Sequence, residues 1–280
     1  ATLMGQWGHS PETLAAEFAG DPHAPPLPDE TRMAAWNARN LRDAPDHVRA
    51  DVPQWCAPHL EAALGPDWVA EGEALAARPP LDLRVNVLKA DRDKVLRRLE
   101  RFDARPAPHA PAGIRIRAGS RGARLPNVQA EAAFAKGWFE VQDEGSQLAA
   151  LATAAAPGEQ VFDFCAGAGG KTLALAAQMG NRGQVFAHDS DRMRLVPIHD
   201  RLRRAGARNV QVLDVGADLA AHAGRMDCVL VDAPCTGSGV WRRHPDAKWR
   251  LDAGQPAARV APQDAVLGRA AEPVRPGGRA

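Results

Sequence analysis

Between Gln160 and Thr172 the sequence passes from a short apolar run through Cys165-Ala166-Gly167-Ala168-Gly169-Gly170 into an Ala/Leu-rich stretch from Lys171 to Met179. Apolar strand, glycine turn and helix in that order admit few architectures. The spacing predicts a strand over Gln160 to Phe164, and then strands at Gln184 to Ala187, Val210 to Leu213 and Cys228 to Val231. Asp191 to Ala205 reads as a helix stopped by Gly206, with Pro197 inside it costing a hydrogen bond and kinking the run. Strands alternating with helices at these intervals imply an α/β fold with a parallel, doubly wound sheet.

Upstream the pattern is smaller in scale. Leu81 to Ala90 (LDLRVNVLKA) alternates like a strand, Asp91 to Phe102 has helical spacing, and Gly113 to Arg117 reads as a further strand, together a small α/β module. A helix-forming stretch from Asp143 to Ala156 leads through Pro157-Gly158 into the main sheet. Before the module, Pro22, Pro25, Pro26 and Pro28 break short helical patterns into a turn-rich linker. The resulting division is a helical segment over 1–76, the small module over 77–128 and the main domain over 129–280.

No run approaches the roughly 18 uninterrupted apolar residues of a spanning helix, and the N-terminus has no secretory pattern, which points to a cytoplasmic protein without a membrane partner. Cys56, Cys165, Cys228 and Cys235 show no ligand spacing, so neither a metal site nor a disulfide framework is expected. The formal net charge of +1 does not discriminate partners, but its distribution does. Ten Arg/Lys against four Asp/Glu lie between Asp91 and Arg124, and Trp241-Arg242-Arg243-His244 is followed by Lys248-Trp249-Arg250. Cations beside aromatics suit a phosphate backbone with stacked bases, which marks Arg115, Arg117, Arg242, Arg243, His244 and Lys248 as candidate RNA contacts. For Asp91 to Arg105 taken alone, a solvated helix face is the favoured reading.

Three ligands compete for the glycine turn. A triphosphate loop requires G-x-x-x-x-G-K-[ST], and Gly170-Lys171-Thr172 meets its end while Cys165 occupies its first glycine. A dinucleotide turn requires a third glycine where Thr172 stands. An S-adenosylmethionine site requires a close-approach turn, a cation for the carboxylate and an acid after the second strand; Lys171 and Asp189 supply these, with Asp214 or Asp218 on the adenine side. The fourth strand ends in Asp232-Ala233-Pro234-Cys235-Thr236-Gly237-Ser238-Gly239, which brings a carboxylate and a thiol to the same edge. Methylating carbon 5 of cytosine requires a thiolate to add at carbon 6, an acid at the N3/N4 edge and a later base. Asp232 suits the acid; Cys235 suits either the nucleophile or the group that releases product.

Five separated segments, Leu83 to Ala90, Val141 to Leu148, Asp163 to Thr172, Asp232 to Gly239 and Arg242 to Trp249, resemble the Sun/Nop family of RNA 5-methylcytosine methyltransferases. The resemblance implies a Rossmann-like class I methyltransferase sheet preceded by a small RNA-binding module and a helical segment, acting on ribosomal RNA; a monomer is the expectation for the complete protein. It also implies cofactor contacts from Cys165, Ala166, Gly167, Ala168, Gly169, Gly170, Lys171, Asp189, Asp214 and Asp232, and a product-release role for Cys235. Ala168 stands where that family more often has proline. The family nucleophile belongs to a Thr-Cys pair on the strand after a Pro-Gly-Gly turn; here Pro276-Gly277-Gly278-Arg279 is followed by Ala280. The expectation is therefore a C-terminally truncated sheet and a chain inactive as it stands. The alternatives are an RNA-binding or assembly protein that keeps the fold without the chemistry, an enzyme attacking through Cys235, and, more distantly, a nicotinamide oxidoreductase.

Overall fold

The computed structural model describes residue 4 and residues 9–38, 40–119 and 124–280, so Arg121 of the basic run lies outside the described residues. The chain forms two units, one of Ala1–Pro79, Ala118–Arg124 and Thr236–Ala257, the other of Pro80–Arg117, Leu125–Cys235 and Ala258–Ala280.

The first unit is helical. Its segments include Pro11–Phe18, Glu30–Asn37, Ala57–Leu64 and Trp68–Ala76. Ser10 caps the first, its hydroxyl accepting from the Thr13 amide at 3.1 Å, and Pro11 occupies the first turn, where no amide is needed. Ala50, Val52, Cys56, Trp68 and Trp241 form the core, so the Trp241 segment closes a core begun almost two hundred residues earlier.

In the second unit β1 (Leu81–Val85), β2 (Arg105–Pro106), β3 (Gly113–Ile116) and β4 (Phe139–Val141) make an antiparallel sheet of order β2-β3-β1-β4. Helix Arg92–Arg98 packs on it around Leu83, Val95, Leu99, Ile114 and Phe139. The alternation read to Ala90 ends as a strand at Val85. There Asn86 turns the chain, its side-chain amide donating to the carbonyls of Gly137 and Ala205 at 2.8 Å each. Helix Glu144–Ala152 also stops earlier than the sequence suggests, with Ala154 at φ 50° and the Thr153 hydroxyl turned back onto the Ala150 carbonyl.

The main sheet is parallel: β5 (Gln160–Asp163), β6 (Gln184–Ala187), β7 (Val210–Val212), β8 (Met226–Leu230) and β9 (Val274–Arg279), in the order β7-β6-β5-β8-β9. Pro197 splits the helix after β6 into Arg192–Leu195 and Ile198–Ala205, and Gly206 ends the second part at φ 71°. Helix Gln255–Ala271 leads into β9. Pro276-Gly277-Gly278 does not form a turn before a strand. It lies within β9, where the pairing with β8 shifts between Met226 and Cys228, so β8 is bonded on both sides rather than left beside an incomplete neighbour. Gly278 sits where an added Cβ would lie 2.8 Å from the Met226 carbonyl oxygen. The chain runs outward from β5 through β6 to β7 and then returns to β5's other side with β8. The switch point of this sheet is therefore the crevice beyond the C-terminal ends of β5 and β8, where open α/β sheets bind ligands.

Candidate cofactor and catalytic site

The loop after β5 is tied on both sides: the Phe164 amide donates to the Leu230 carbonyl at 2.9 Å and the Ala166 amide to the His188 carbonyl at 2.8 Å. Gly169 begins helix Gly170–Gln178 at φ 81°, and a Cβ there would lie 2.5 Å from Ile198 Cγ1. Glycine is required at that position by both conformation and contact. Asp189, 2% exposed beyond the end of β6, holds this loop: its Oδ2 accepts the Gly167 amide and its Oδ1 the Asp191 amide, both at 2.9 Å. A carboxylate has four lone-pair directions, and the two amides take two of them. Arg194, at 3.4 Å from Asp189 and with NH2 3.2 Å from the space above Gly167, is a residue the sequence reading passed over. Its signal was weak: one arginine among several on a short helix whose direction Asp191 sets by capping the Met193 amide.

Lys171 and Asp232 meet across the switch point, Nζ 2.6 Å from Oδ2, the lysine side chain 15% and the carboxylate 57% exposed. Beneath them Asp163 is fully buried. Burial pushes its carboxyl up to about 6, against the opposing pull of the Thr172 hydroxyl at 2.7 Å and the Lys171 charge. Its Oδ1 has no hydrogen-bond partner among the described residues. Cys165 is half-buried, and burial, reinforced by the charges of Asp189, Asp163 and Asp232, pushes its thiol up to about 11. It is therefore a protonated, unreactive thiol at neutral pH. Cys56 and Cys228 are buried, and Cys235, three residues past Asp232, is exposed. Asp214 lines an open cleft of about 600 Å³ with Arg192, His199 and Val215, whereas Asp218 caps its own turn through the Ala220 amide.

The candidate RNA contacts differ in exposure. Arg115 forks onto Asp82 at 2.7 Å and reaches Glu144 at 3.1 Å; Arg242 donates to the carbonyls of Ala77 and Arg78. Lys248 is 3% exposed with its ammonium 2.6 Å from Asp51, a pairing that keeps it from a phosphate. Arg117, Arg243 and His244 are exposed. Among the described residues no cluster of His, Cys, Asp or Glu could hold a metal ion, and no helix is long and apolar enough to cross a membrane.

Residues 150–280 match the family described as 16S rRNA methyltransferase RsmB/F, and residues 52–121 match the ferredoxin-like domain of the RsmF/B-like methyltransferases. Ribosomal RNA small subunit methyltransferase B of Shigella sonnei is 35% identical over 201 residues, covering 70% of this chain and 45% of that protein. The chain thus spans about half the length of the curated relatives it matches. Among solved structures, PH0851 aligns with a TM-score of 0.74 at 29% identity over 92% of this chain and 55% of that one. A methyltransferase homolog protein from Pyrococcus horikoshii aligns at 0.67 and 27% over 83% and 73%.

Proposed function

The chain belongs to the RsmB/F, Sun/Nop-type family of methyltransferases, and from that premise we propose that it binds S-adenosylmethionine at the β5–β8 switch point and serves methylation of cytosine carbon 5 in ribosomal RNA. The observation that carries this reading is the Lys171–Asp232 pair, which joins the glycine loop to the Asp-Ala-Pro-Cys segment at one crevice. A loop rich in close-approach glycines, a cation for a carboxylate and a buried acid after the second strand suit the amino-acid and ribose ends of that cofactor. When bound, it supplies the electrophilic methyl group.

The protein's own part is the rest. Asp232, mostly exposed beside Lys171, is the group that would hold the N3/N4 edge of the base, and its ion pair keeps it placed until the base arrives. Asp189, held in place by the Gly167 amide, would hold the cofactor's ribose, and Asp214 would face its adenine. Among the candidate RNA contacts Arg117, Arg243 and His244 are exposed and would meet RNA phosphates. A cytoplasmic setting belongs to the same proposal. Of the four cysteines only Cys235 is exposed, so within these 280 residues it is the thiol that can reach a base, either to attack carbon 6 or to assist release.

Trapping on RNA carrying 5-fluorocytosine tests the reading, because methyl addition at a fluorinated carbon leaves no proton to remove and strands the covalent adduct. With the 280-residue chain and S-adenosylmethionine, an adduct lost in Cys235→Ser assigns Cys235 as nucleophile. Cofactor binding without any adduct removes Cys235 as the nucleophile. An adduct that survives Cys235→Ser would likewise exclude it as nucleophile and leave it the release role.

A further inference from the structure

One contact ties the small antiparallel sheet to the loop at the switch point. Glu140 on β4 is 3% exposed, and its carboxylate is shared by two arginines of helix Ile198–Ala205. Arg204 meets Oε1, and Arg201 meets Oε2 through NH2 at 3.0 Å and Nε at 3.3 Å. The third nitrogen of Arg201 does something its neighbour's does not: NH1 donates to the carbonyl of Ala168, at 2.7 Å, in the middle of the glycine loop. Ala168 has no ring to fix its own φ and is flanked by Gly167 and Gly169, both at positive φ, so this part of the loop draws its order from contacts.

We infer that Arg201 is a positioning residue of the cofactor site, clamping the Ala168 peptide while Glu140 holds the guanidinium at the correct angle. The inference rests on the cofactor reading above. A guanidinium presents its donors in a rigid fork, so fixing two nitrogens on Glu140 aims the remaining one. The consequence is that the docking of β4 against the helix sets the shape of the loop that receives the ligand. Docking is itself dense at this seam: Asn86 bridges Gly137 and Ala205, Lys89 donates to the Arg204 carbonyl at 2.6 Å, and a Cβ on Gly137 would stand 2.0 Å from that same carbonyl oxygen.

Arg204 supplies an internal control, since it shares the carboxylate and the helix, and has no hydrogen bond to the loop among the described residues. Each single substitution leaves Glu140 with one arginine. In titration calorimetry with S-adenosylmethionine, Arg201→Gln should weaken binding about tenfold and Arg204→Gln less than about twofold, with thermal midpoints checked for both. Amide hydrogen exchange of the unliganded chain gives a second readout: Gly167 and Gly169 should exchange faster in Arg201→Gln than in Arg204→Gln. Equal affinity losses in the two variants, or an unchanged affinity in Arg201→Gln, would overturn the positioning role. If the parent chain binds no S-adenosylmethionine, the proposed function fails, and the exchange comparison alone decides whether Arg201 orders the loop; equal loop exchange in both variants would sink it.

Discussion

Asp163 shows how a single residue at this site carries a cost that its neighbours only partly offset. Its carboxyl is buried beneath Lys171 and Asp232 with one oxygen on Thr172 and the other without a partner among the described residues. Raised from 3.8 to about 6, it favours folding most when protonated. The contribution is fully present below 3.8 and is lost as pH rises through about 6, to a maximum of about 3 kcal/mol. Asp163→Asn removes the titration, so its stability relative to the parent should rise by up to that amount between pH 4 and pH 8, as read by urea unfolding at both values. A difference that does not change with pH would contradict the burial account. The placement of Lys171, Asp189 and Asp232 around the glycine turn was legible from sequence because each stands at a fixed offset from that turn or from the end of a strand. Arg194, Glu140 and Arg201 were not, since an arginine or glutamate on a helix or strand declares its partner only once distant elements are packed.

At the scale of elements, the parallel strands β5 to β8 and the Pro197 break could be read directly, because short apolar runs bounded by Gly and Pro leave little choice. The two-residue β2 and three-residue β4 had no such signal; they are strands by virtue of their partners β3 and β1. Helix Gln255–Ala271 was hidden by Pro262 in its interior. The turn opening helix Gly170–Gln178 allows a comparison between two causes of glycine dependence. Gly169 and Gly180 both have positive φ, but only at Gly169 does an added Cβ meet a neighbour, Ile198 Cγ1 at 2.5 Å; Gly180 faces nothing within 4 Å. Gly180→Ala should therefore cost about 1 kcal/mol from backbone strain alone, and Gly169→Ala about 2 kcal/mol or more. Denaturant midpoints compare the two, and equal losses would mean that Ile198 yields freely.

At the scale of the whole molecule, the two units are discontinuous in sequence, and the basic, aromatic segment from Thr236 to Ala257 folds with the N-terminal helices. The chain passes directly into that segment from β8, and Trp241 is buried in one core with Trp68 and Val52. The same burial explains why Lys248 is drawn to Asp51 while Arg243 and His244 stay exposed. The account as a whole stands on the ligand of the β5–β8 crevice, for which three candidates compete on sequence grounds. Titration calorimetry of the 280-residue chain with S-adenosylmethionine, a nicotinamide dinucleotide and ATP, each in turn, separates them. The account predicts saturable binding of S-adenosylmethionine at one site per chain and no measurable heat from the other two; tighter binding of the dinucleotide or of ATP would contradict it.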